Sequence, residues 1–180
     1  MRNIALAGGM GAGKTTVAEY LAKQYGFAQV KISKPIYEIA ELLWGPEAAK
    51  DRALLQDLGT KMREIDPDVW INHYVKSIKD AGVFIVNDTM RFPNEYWALT
   101  RADFVTVRVL APEAVRIDRL QKIGRIQDLD RLNHISETAL IGAKAESEGI
   151  HFDYEIWNDE DPTKMMEEVD RLVKHIEEET

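Results

Sequence analysis

The glycine-rich run at residues 8–15 restricts the possible folds of this chain more than any other part of the sequence. It reads Gly-Gly-Met-Gly-Ala-Gly-Lys-Thr and satisfies the pattern G-x-x-x-x-G-K-[ST]. A short apolar run at residues 3–7 precedes it, and residues 14–25 follow with apolar positions spaced as on one face of a helix. Such a turn directs successive backbone N–H groups, together with the positive end of the helix, toward one point. The run therefore predicts a binding site for the phosphates of a nucleotide, and we call it the P-loop.

Two P-loop residues have predicted chemical roles. The ammonium group of Lys14 is expected to reach the β- and γ-phosphates, and the hydroxyl of Thr15 is expected to ligate Mg²⁺. The alternative is a glycine-rich turn with a chance lysine, which the flanking strand and helix disfavour. The predicted triphosphate ligands are Gly9, Gly11, Ala12, Gly13, Lys14, Thr15 and Thr16.

Strands and helices are predicted to alternate along the chain, with strands at residues 3–7, 27–32, 83–87, 104–110 and 152–157. This order predicts the α/β class: a three-layer α/β/α domain around a five-stranded, mostly parallel sheet. No repeat or linker interrupts the sequence, so residues 1–180 are expected to form one domain. Residues 34–80 and 116–148 are expected to hold helices without strands and to form excursions over the binding edge.

Helix starts and aromatic positions complete the structural prediction. The pairs Asp66-Pro67 and Asp161-Pro162 each predict an N-cap followed by proline at the first helical position. The last helix is predicted to bury Met165, Val169, Leu172 and Ile176. The tryptophans are expected in the core or in pocket walls: Trp44, Trp70, Trp97 and Trp157.

A second candidate site follows the third predicted strand, where the sequence reads Asp88-Thr89-Met90-Arg91. The carboxyl ends of parallel strands are where ligands bind in α/β proteins. Asp88 is expected to hold Mg²⁺ through a water molecule beside Thr15, and Arg91 to bind the phosphate of an acceptor with both arms of its guanidinium. The alternative is a polar turn with a surface arginine.

Two sequence features that are absent restrict the type of reaction. Thr89 stands where ATPase motors usually carry a glutamate that activates water, and the guanine-reading pattern Asn-Lys-x-Asp does not occur. A P-loop chain of this size without hydrolytic machinery is typical of a small-molecule kinase, which must exclude water with a closing lid. The predicted lid is a basic cluster, for which a solvated helix face is the alternative: Arg116, Arg119, Lys122, Arg125 and Arg131.

Composition excludes several partners. The net charge of −8 argues against a polymeric nucleic acid, because phosphate backbones bind basic surfaces. The absence of cysteine excludes disulfides and thiolate metal sites, and the histidines show no metal-ligand spacing. No segment approaches the roughly 18 apolar residues of a membrane span. We therefore expect a soluble, cytoplasmic protein with no membrane partner.

Further motifs occur in a fixed order after the P-loop. A Leu-Gly-Thr run at 58–60 precedes Arg63, and Asp-Pro-Asp-Val-Trp follows at 66–70. The Asp88 motif extends through Arg-Phe-Pro-Asn-Glu to residue 95, and His-Ile-Ser-Glu and Phe-Asp-Tyr occur at 134–137 and 152–154. In this order, the motifs resemble the deoxynucleoside monophosphate kinases of tailed bacteriophages, within the P-loop nucleoside monophosphate kinases. The resemblance covers nearly the whole chain.

The resemblance implies an activity and a set of site residues. It implies transfer of the γ-phosphoryl group of ATP to a deoxynucleoside 5′-monophosphate with Mg²⁺, by a protein of a kind that is often dimeric. The implied catalytic residues are Lys14, Asp88, Arg91, Arg116 and Arg119. Arg125 would join the ATP site, and Asn158 would lie beside the adenine. The implied acceptor ligands are Ser33, Arg63, Trp70, Asp88, Arg91 and Arg131.

Two other functions remain open at this stage. Dephospho-coenzyme A kinases share the predicted fold, but they typically place an aspartate just after the second strand, where this chain has Ser33-Lys34. A regulatory module that binds a nucleotide without transferring phosphate is the alternative from another class. The basic cluster and the Asp88/Arg91 pair argue against such a module.

Overall fold

The computed structural model describes residues 1–125, 132, 135–140, 142–159 and 161–179. Within these residues the chain forms one five-stranded sheet in the order β2-β3-β1-β4-β5. Its strands are β1 (Ile4–Ala7), β2 (Ala28–Gln29), β3 (Ile85–Asn87), β4 (Val105–Leu110) and β5 (Tyr154–Trp157). All pairings between these strands are parallel, which confirms the predicted sheet.

Helices cover both faces of this sheet. In chain order the described helices are α1 (Lys14–Tyr25), α2 (Lys34–Trp44), a 3-10 helix (Pro46–Lys50), α3 (Arg52–Ile65), α4 (Val69–Ile78), α5 (Pro93–Arg101), α6 (Glu113–Lys122), α7 (Ile135–Thr138), α8 (Gly142–Ser147) and α9 (Pro162–Glu178). No described helix has both the length and the apolar character needed to cross a membrane.

The central strand β1 separates two apolar cores. Ile4 and Leu6 lie in one core with side chains of α1 and α9, whereas Ala5 and Ala7 lie in the other with side chains of α2 to α5. This alternation is expected when successive residues of a strand point to opposite faces of a sheet. The three-layer prediction is therefore confirmed.

The parallel register brings two chain segments together at one edge. Ile4 of β1 lies opposite both Val86 of β3 and Val105 of β4. Since β1 and β3 run in the same direction as neighbours, the P-loop after Ala7 and the turn after Asn87 emerge side by side. This edge positions the candidate site.

Helix boundaries match the prediction where a local signal is unambiguous. Helix α1 lies between Gly13 and Gly26, both in the left-handed region with φ of 103° and 74°, which glycine adopts at little cost. The carboxylate of Asp161 accepts a hydrogen bond from Thr163 N at 2.9 Å and caps α9, as predicted.

The predicted start of α4 is wrong. The carboxylate of Asp66 accepts from Asp68 N at 2.9 Å in a turn that follows α3, and α4 begins only at Val69. The His-Ile-Ser-Glu motif leads into α7, which begins at Ile135, so Ser136 lies inside the helix.

Strands are shorter than their apolar runs predicted. Val83 and Phe84 precede β3 and are 54% and 44% exposed, and β2 contains only two residues. Of the four tryptophans only Trp70 is buried; Trp44, Trp97 and Trp157 are exposed, which contradicts their prediction as core or pocket wall. Apolar composition alone did not distinguish these positions from the core.

Candidate active site

The P-loop curls around the amino group of Lys14. The side chain is 8% exposed, and its Nζ donates hydrogen bonds to the carbonyl oxygens of Gly8 at 2.5 Å and Gly9 at 3.2 Å. A Cβ atom on Gly13 would lie 2.2 Å from Nδ2 of Asn158, so a larger residue would displace the loop. Lys14 is thus held by the carbonyls of its own loop.

Burial changes the acidity of this lysine. Burial, followed by the nearby charge of Arg91, lowers the pKa of Lys14 from 10.5 to about 8, against the charges of Glu137 and Asp88, which raise it. An anionic ligand at the P-loop would add charge of the sign that raises the pKa. Binding of phosphates and protonation of Lys14 are therefore coupled.

Thr15 and Asp88 meet at the edge formed by β1 and β3. Thr15 Oγ1 donates to Asp88 Oδ2 at 2.9 Å, and Gln29 Nε2 lies 3.3 Å from the same oxygen. Asp88 is buried, and its Oδ1 has no hydrogen-bond partner among the described residues. A hydroxyl beside a carboxylate with an unsatisfied oxygen fits Mg²⁺, which takes one or two protein oxygens and completes its shell with phosphates and water. No group of three His, Asp or Glu side chains suited to a metal occurs in the described part of the chain.

A cavity of about 1060 Å³ opens in front of the P-loop. It brings together predicted residues that lie far apart in the sequence. Among its lining residues are Gly11, Gly13, Lys14, Thr15, Thr16, Ser33, Asp88, Arg91, Arg119, Arg125 and Asn158. Gly9 and Ala12 do not line the cavity. Their backbone carbonyls accept hydrogen bonds from the side chains of Lys14 and Asn158, respectively.

Arginines of the predicted lid surround the P-loop. Arg116 donates to Met10 O at 3.3 Å, and Arg119 donates to Gly11 O at 3.4 Å. Arg125 Nη2 lies 3.8 Å from the sulfur of Met10. Lys122 instead pairs with Asp118 at 2.7 Å on the exposed side of α6, so it does not join the cluster. Arg131 lies outside the described residues.

Asn158 connects the P-loop to α6. Its Nδ2 donates to Ala12 O at 2.8 Å, and its Oδ1 accepts from Arg119 Nη2 at 2.8 Å. The side chain is buried, although it also borders the large cavity. Both ends of the amide are therefore occupied by the protein, which assigns it a structural contact in addition to its predicted place near adenine.

A second cavity of about 200 Å³ adjoins the first, and both are lined by Ser33 and Arg91. Arg63 lines the second cavity and is held there by Gly59 O at 3.2 Å, Glu95 Oε1 at 3.4 Å and the ring of Phe92 at 4.5 Å. Arg52 lines it as well. The small cavity thus has a cationic wall.

Trp70 does not line either cavity. It is buried, and its Nε1 donates to Gly59 O at 3.1 Å, the same carbonyl that accepts from Arg63. The expectation that Trp70 forms the acceptor pocket wall is thus corrected: it supports the wall from behind.

Sequence and structure comparisons agree with this geometry. The model of a protein family described as AAA domain matches residues 4–141, which is well over half of the chain. The chain belongs to this family. No curated protein matches its sequence at a significant level.

Several solved structures share the fold of this AAA-domain chain. Shikimate kinase from Acinetobacter baumannii in complex with shikimate has a TM-score of 0.61 at 15% identity, covering 100% of this chain and 95% of that one. TT1252 from Thermus thermophilus has a TM-score of 0.62 at 14% identity, with 99% and 98% covered. Shikimate kinase from Bacteroides thetaiotaomicron has a TM-score of 0.55 at 18% identity, with 98% of each chain covered. These likenesses confirm the predicted P-loop kinase fold.

The AAA-domain chain also places two glutamates in the site that sequence reasoning did not assign. The Glu95 carboxylate accepts from Arg91 N at 2.7 Å and Phe92 N at 3.2 Å, and burial raises its pKa. Its position two residues after Pro93 is a helix-start signal that was available in the sequence. Glu137 ends the His-Ile-Ser-Glu motif, for which no chemical role was predicted, and forms an ion pair with Arg91 from 46 residues away.

Proposed function

We propose that this protein transfers the γ-phosphoryl group of ATP to the phosphate of a deoxynucleoside 5′-monophosphate. The AAA-domain family and the kinase fold support an ATP-dependent P-loop kinase that acts on a small molecule. One observation carries the finer proposal. Arg91 stands where the large P-loop cavity meets a small cavity whose wall includes Arg52 and Arg63.

The donor side suits a nucleoside triphosphate. Lys14, the backbone of the P-loop, Arg119 of α6 and Arg125 offer positive groups around one cavity, and Arg116 contacts the P-loop at Met10 O. Mg²⁺ held by Thr15 and Asp88 would neutralise charge on the β- and γ-phosphates. Fixed positive groups stabilise the charge that develops on the transferred phosphoryl group, which is the main demand of this reaction.

The acceptor side suits a phosphate monoester. Arginine binds phosphate oxygens with two parallel N–H donors, and several arginines around a cavity of about 200 Å³ match the charge of a phosphate dianion. The same cavity has apolar walls from Ile36, Leu55 and Phe92, and Thr60 adds a hydroxyl. Apolar walls with a few polar groups are typical of sites that hold a ring system such as a nucleobase.

The proposed reaction needs no general base from the protein. An oxygen of the acceptor phosphate forms a bond to the γ-phosphorus, while the bond from that phosphorus to the bridging oxygen breaks and ADP leaves with the electron pair. At neutral pH the attacking phosphate is largely deprotonated, since its second pKa is about 6. The side chains therefore only position the reacting phosphates and neutralise their charge. This matches a site in which Thr89, and not a glutamate, stands beside Asp88.

An assay of ADP formation tests this proposal. ATP is supplied with dAMP, dGMP, dCMP or dTMP, with their ribonucleotide counterparts, with dephospho-coenzyme A, or with shikimate. We expect ADP formation that depends on a deoxynucleoside monophosphate. The variants Lys14→Ala and Asp88→Asn should lose roughly 100- to 1000-fold in kcat. If only dephospho-coenzyme A or shikimate supports turnover, that compound is the acceptor and the proposed deoxynucleoside monophosphate is wrong. ATP binding without any acceptor-dependent turnover would indicate a regulatory module.

A further inference from the structure

Among the described residues that line the small cavity, which we propose holds the acceptor and call the acceptor cavity, Glu137 is the one that follows β4 in the sequence. It belongs to the short helix α7, and the neighbouring Ala139 and Leu140 are buried, Leu140 within the apolar core. The carboxylate of Glu137 accepts a hydrogen bond from Nη1 of Arg91. An anion of the protein itself thus contacts the arginine that lies between the two cavities.

This ion pair is incompletely satisfied. Glu137 is almost fully buried, and its Oε2 has no hydrogen-bond partner among the described residues. A buried carboxylate oxygen without a partner costs free energy, so the closed pair is less stable than its charges alone suggest. The side chain of Arg91 is one-third exposed and therefore within reach of an incoming ligand.

Binding a phosphate to Arg91 while the Glu137 carboxylate stays paired with it costs free energy. Two anions on one guanidinium repel each other, and the cavity of about 200 Å³ that Glu137 lines is small. Arg52 and Arg63 line the same cavity, so a doubly charged phosphate has cationic contacts besides Arg91.

We infer that Glu137 is a positioning residue that serves as the counter-ion of Arg91 in the empty enzyme and is replaced there by the phosphate of the acceptor. This inference rests on the proposed function for the identity of the acceptor, but its chemistry needs only a phosphate. The consequence has a definite sign: the carboxylate competes with the acceptor. Removing its charge tightens acceptor binding, whereas a residue that only holds Arg91 in place would weaken binding when removed.

The test compares Glu137→Gln with the wild-type protein by calorimetric titration with dTMP, inorganic phosphate and ATP. Glutamine keeps the shape of the side chain and a weaker hydrogen bond to Arg91. We expect dTMP and phosphate to bind roughly 3- to 10-fold more tightly to the variant, the difference between a charged and a neutral hydrogen-bond partner. ATP affinity should change less than the affinities for dTMP and phosphate, because the carboxylate contacts Arg91 in the small cavity and acts on Lys14 of the P-loop only through its charge.

Glu155→Gln is the matched control. Glu155 also pairs with an arginine, Arg108, but this pair joins β4 to β5 outside both cavities. We expect no change in phosphate affinity for this variant. Weaker or unchanged binding of phosphate by Glu137→Gln would overturn the inference.

A structure of the wild-type protein with inorganic phosphate or dTMP provides a second test that does not depend on the variant. The inference requires a phosphate oxygen on Arg91 and an open Arg91–Glu137 contact; a closed pair beside bound phosphate contradicts it. The ADP assay tests the proposed function, and the phosphate titration tests the role of Glu137, so either claim can be wrong without the other. If no nucleotide is phosphorylated, the proposed function is wrong, and the phosphate titration still decides the role of Glu137.

Discussion

Lys14 is the residue at which burial acts most directly on the proposed reaction. Its amino group must carry a charge to bind phosphates, yet the folded protein lowers its pKa to about 8, mainly through burial. Unfolded lysine has a pKa of about 10.4. The charged form thus costs stability below about pH 8, and this cost is relieved as the pH rises toward the unfolded value.

This pKa predicts a pH dependence of ATP binding. As the pH rises through about 8, the free enzyme loses the proton of Lys14. We expect kcat/KM for ATP to fall by up to about tenfold per pH unit above that point. The limb in kcat should lie at higher pH, since bound phosphates raise the pKa of Lys14 in the complex. A pH series of both parameters checks this, and a kcat/KM that stays flat to about pH 9.5 contradicts the role of Lys14.

Arg91 allows a prediction that separates acceptor from donor. Arg91→Ala removes a guanidinium proposed to hold the attacking phosphate and leaves the Glu137 carboxylate in the same cavity. We expect kcat/KM for the deoxynucleoside monophosphate to fall by a factor that corresponds to a loss of about 2–4 kcal/mol in transition-state stabilisation. ATP affinity measured without acceptor should barely change. Arg108→Ala is the control, because Arg108 lies outside both cavities; an equal loss on the ATP side would place Arg91 in the donor site.

At the scale of secondary-structure elements, the end of β5 holds the P-loop against α6. Asn158→Ala would leave Ala12 O without the donor from Asn158 and Nη2 of Arg119 without its acceptor, while Nη1 of Arg119 still donates to Gly11 O. We expect a loss of about 1–3 kcal/mol in the free energy of unfolding and weaker ATP binding, because a buried polar group is left unpaired and the loop is less fixed. Urea unfolding and ATP titration measure the two effects.

The control for Asn158 is a partly exposed asparagine that also makes two hydrogen bonds. Asn94 donates to Pro67 O at 3.0 Å and to Asp68 at 2.8 Å, and it lines neither cavity. Asn94→Ala should leave ATP affinity unchanged. If both variants weaken ATP binding alike, general loosening of the fold explains the effect, and the Asn158 contact does not.

The boundaries of these elements show which parts of the fold could be predicted from sequence. Helix α1 was predicted to its first and last residues because glycines at both ends adopt the left-handed conformation. Strand β3 was predicted too long because an apolar run does not reveal where neighbouring strands stop pairing. The start of α4 was wrong because an aspartate before proline stabilises a turn as readily as a helix start. Local chemistry was sufficient only where one conformation strongly outweighs the others.

The site likewise contains residues that could be predicted from the sequence and contacts that could not. Lys14, Thr15, Asp88 and Arg91 were predictable because parallel strands place consecutive carboxyl ends at one edge. Two long-range contacts of the site were not predictable: Glu137 reaches Arg91 across 46 residues, and Asn158 reaches Ala12 of the P-loop across 146. Such contacts depend on how the layers pack, which spacing within one segment does not encode.

At the scale of the whole molecule, the site is assembled from segments that lie far apart in the sequence. The P-loop follows the first strand, the arginines proposed to bind the acceptor come from α3 and the turn after β3, and Arg119 comes from α6. The chain as a whole carries a charge of −8, so the cationic groups around these cavities are a local exception. Concentrated positive charge in an acidic protein attracts small anions to one place without favouring long polyanions.

This arrangement predicts that α6 responds to occupation of both cavities. Arg116 and Arg119 donate to loop carbonyls at 3.3 and 3.4 Å, which are long hydrogen bonds. Phosphates are stronger acceptors and carry the missing counter-charge, so they should draw these arginines inward and close the lid over both nucleotides.

Hydrogen exchange measures this closure directly. A bisubstrate analogue that joins adenosine to a deoxynucleoside through a phosphate bridge should slow amide exchange in residues 113–125 more than ATP alone does, because it occupies both cavities. The buried strand β4 is the internal reference, since it lies in the sheet and should exchange slowly with or without ligand. Tight binding of the analogue with unchanged exchange in residues 113–125 would mean that α6 is an ordinary solvated helix and that water is excluded by another part of the protein.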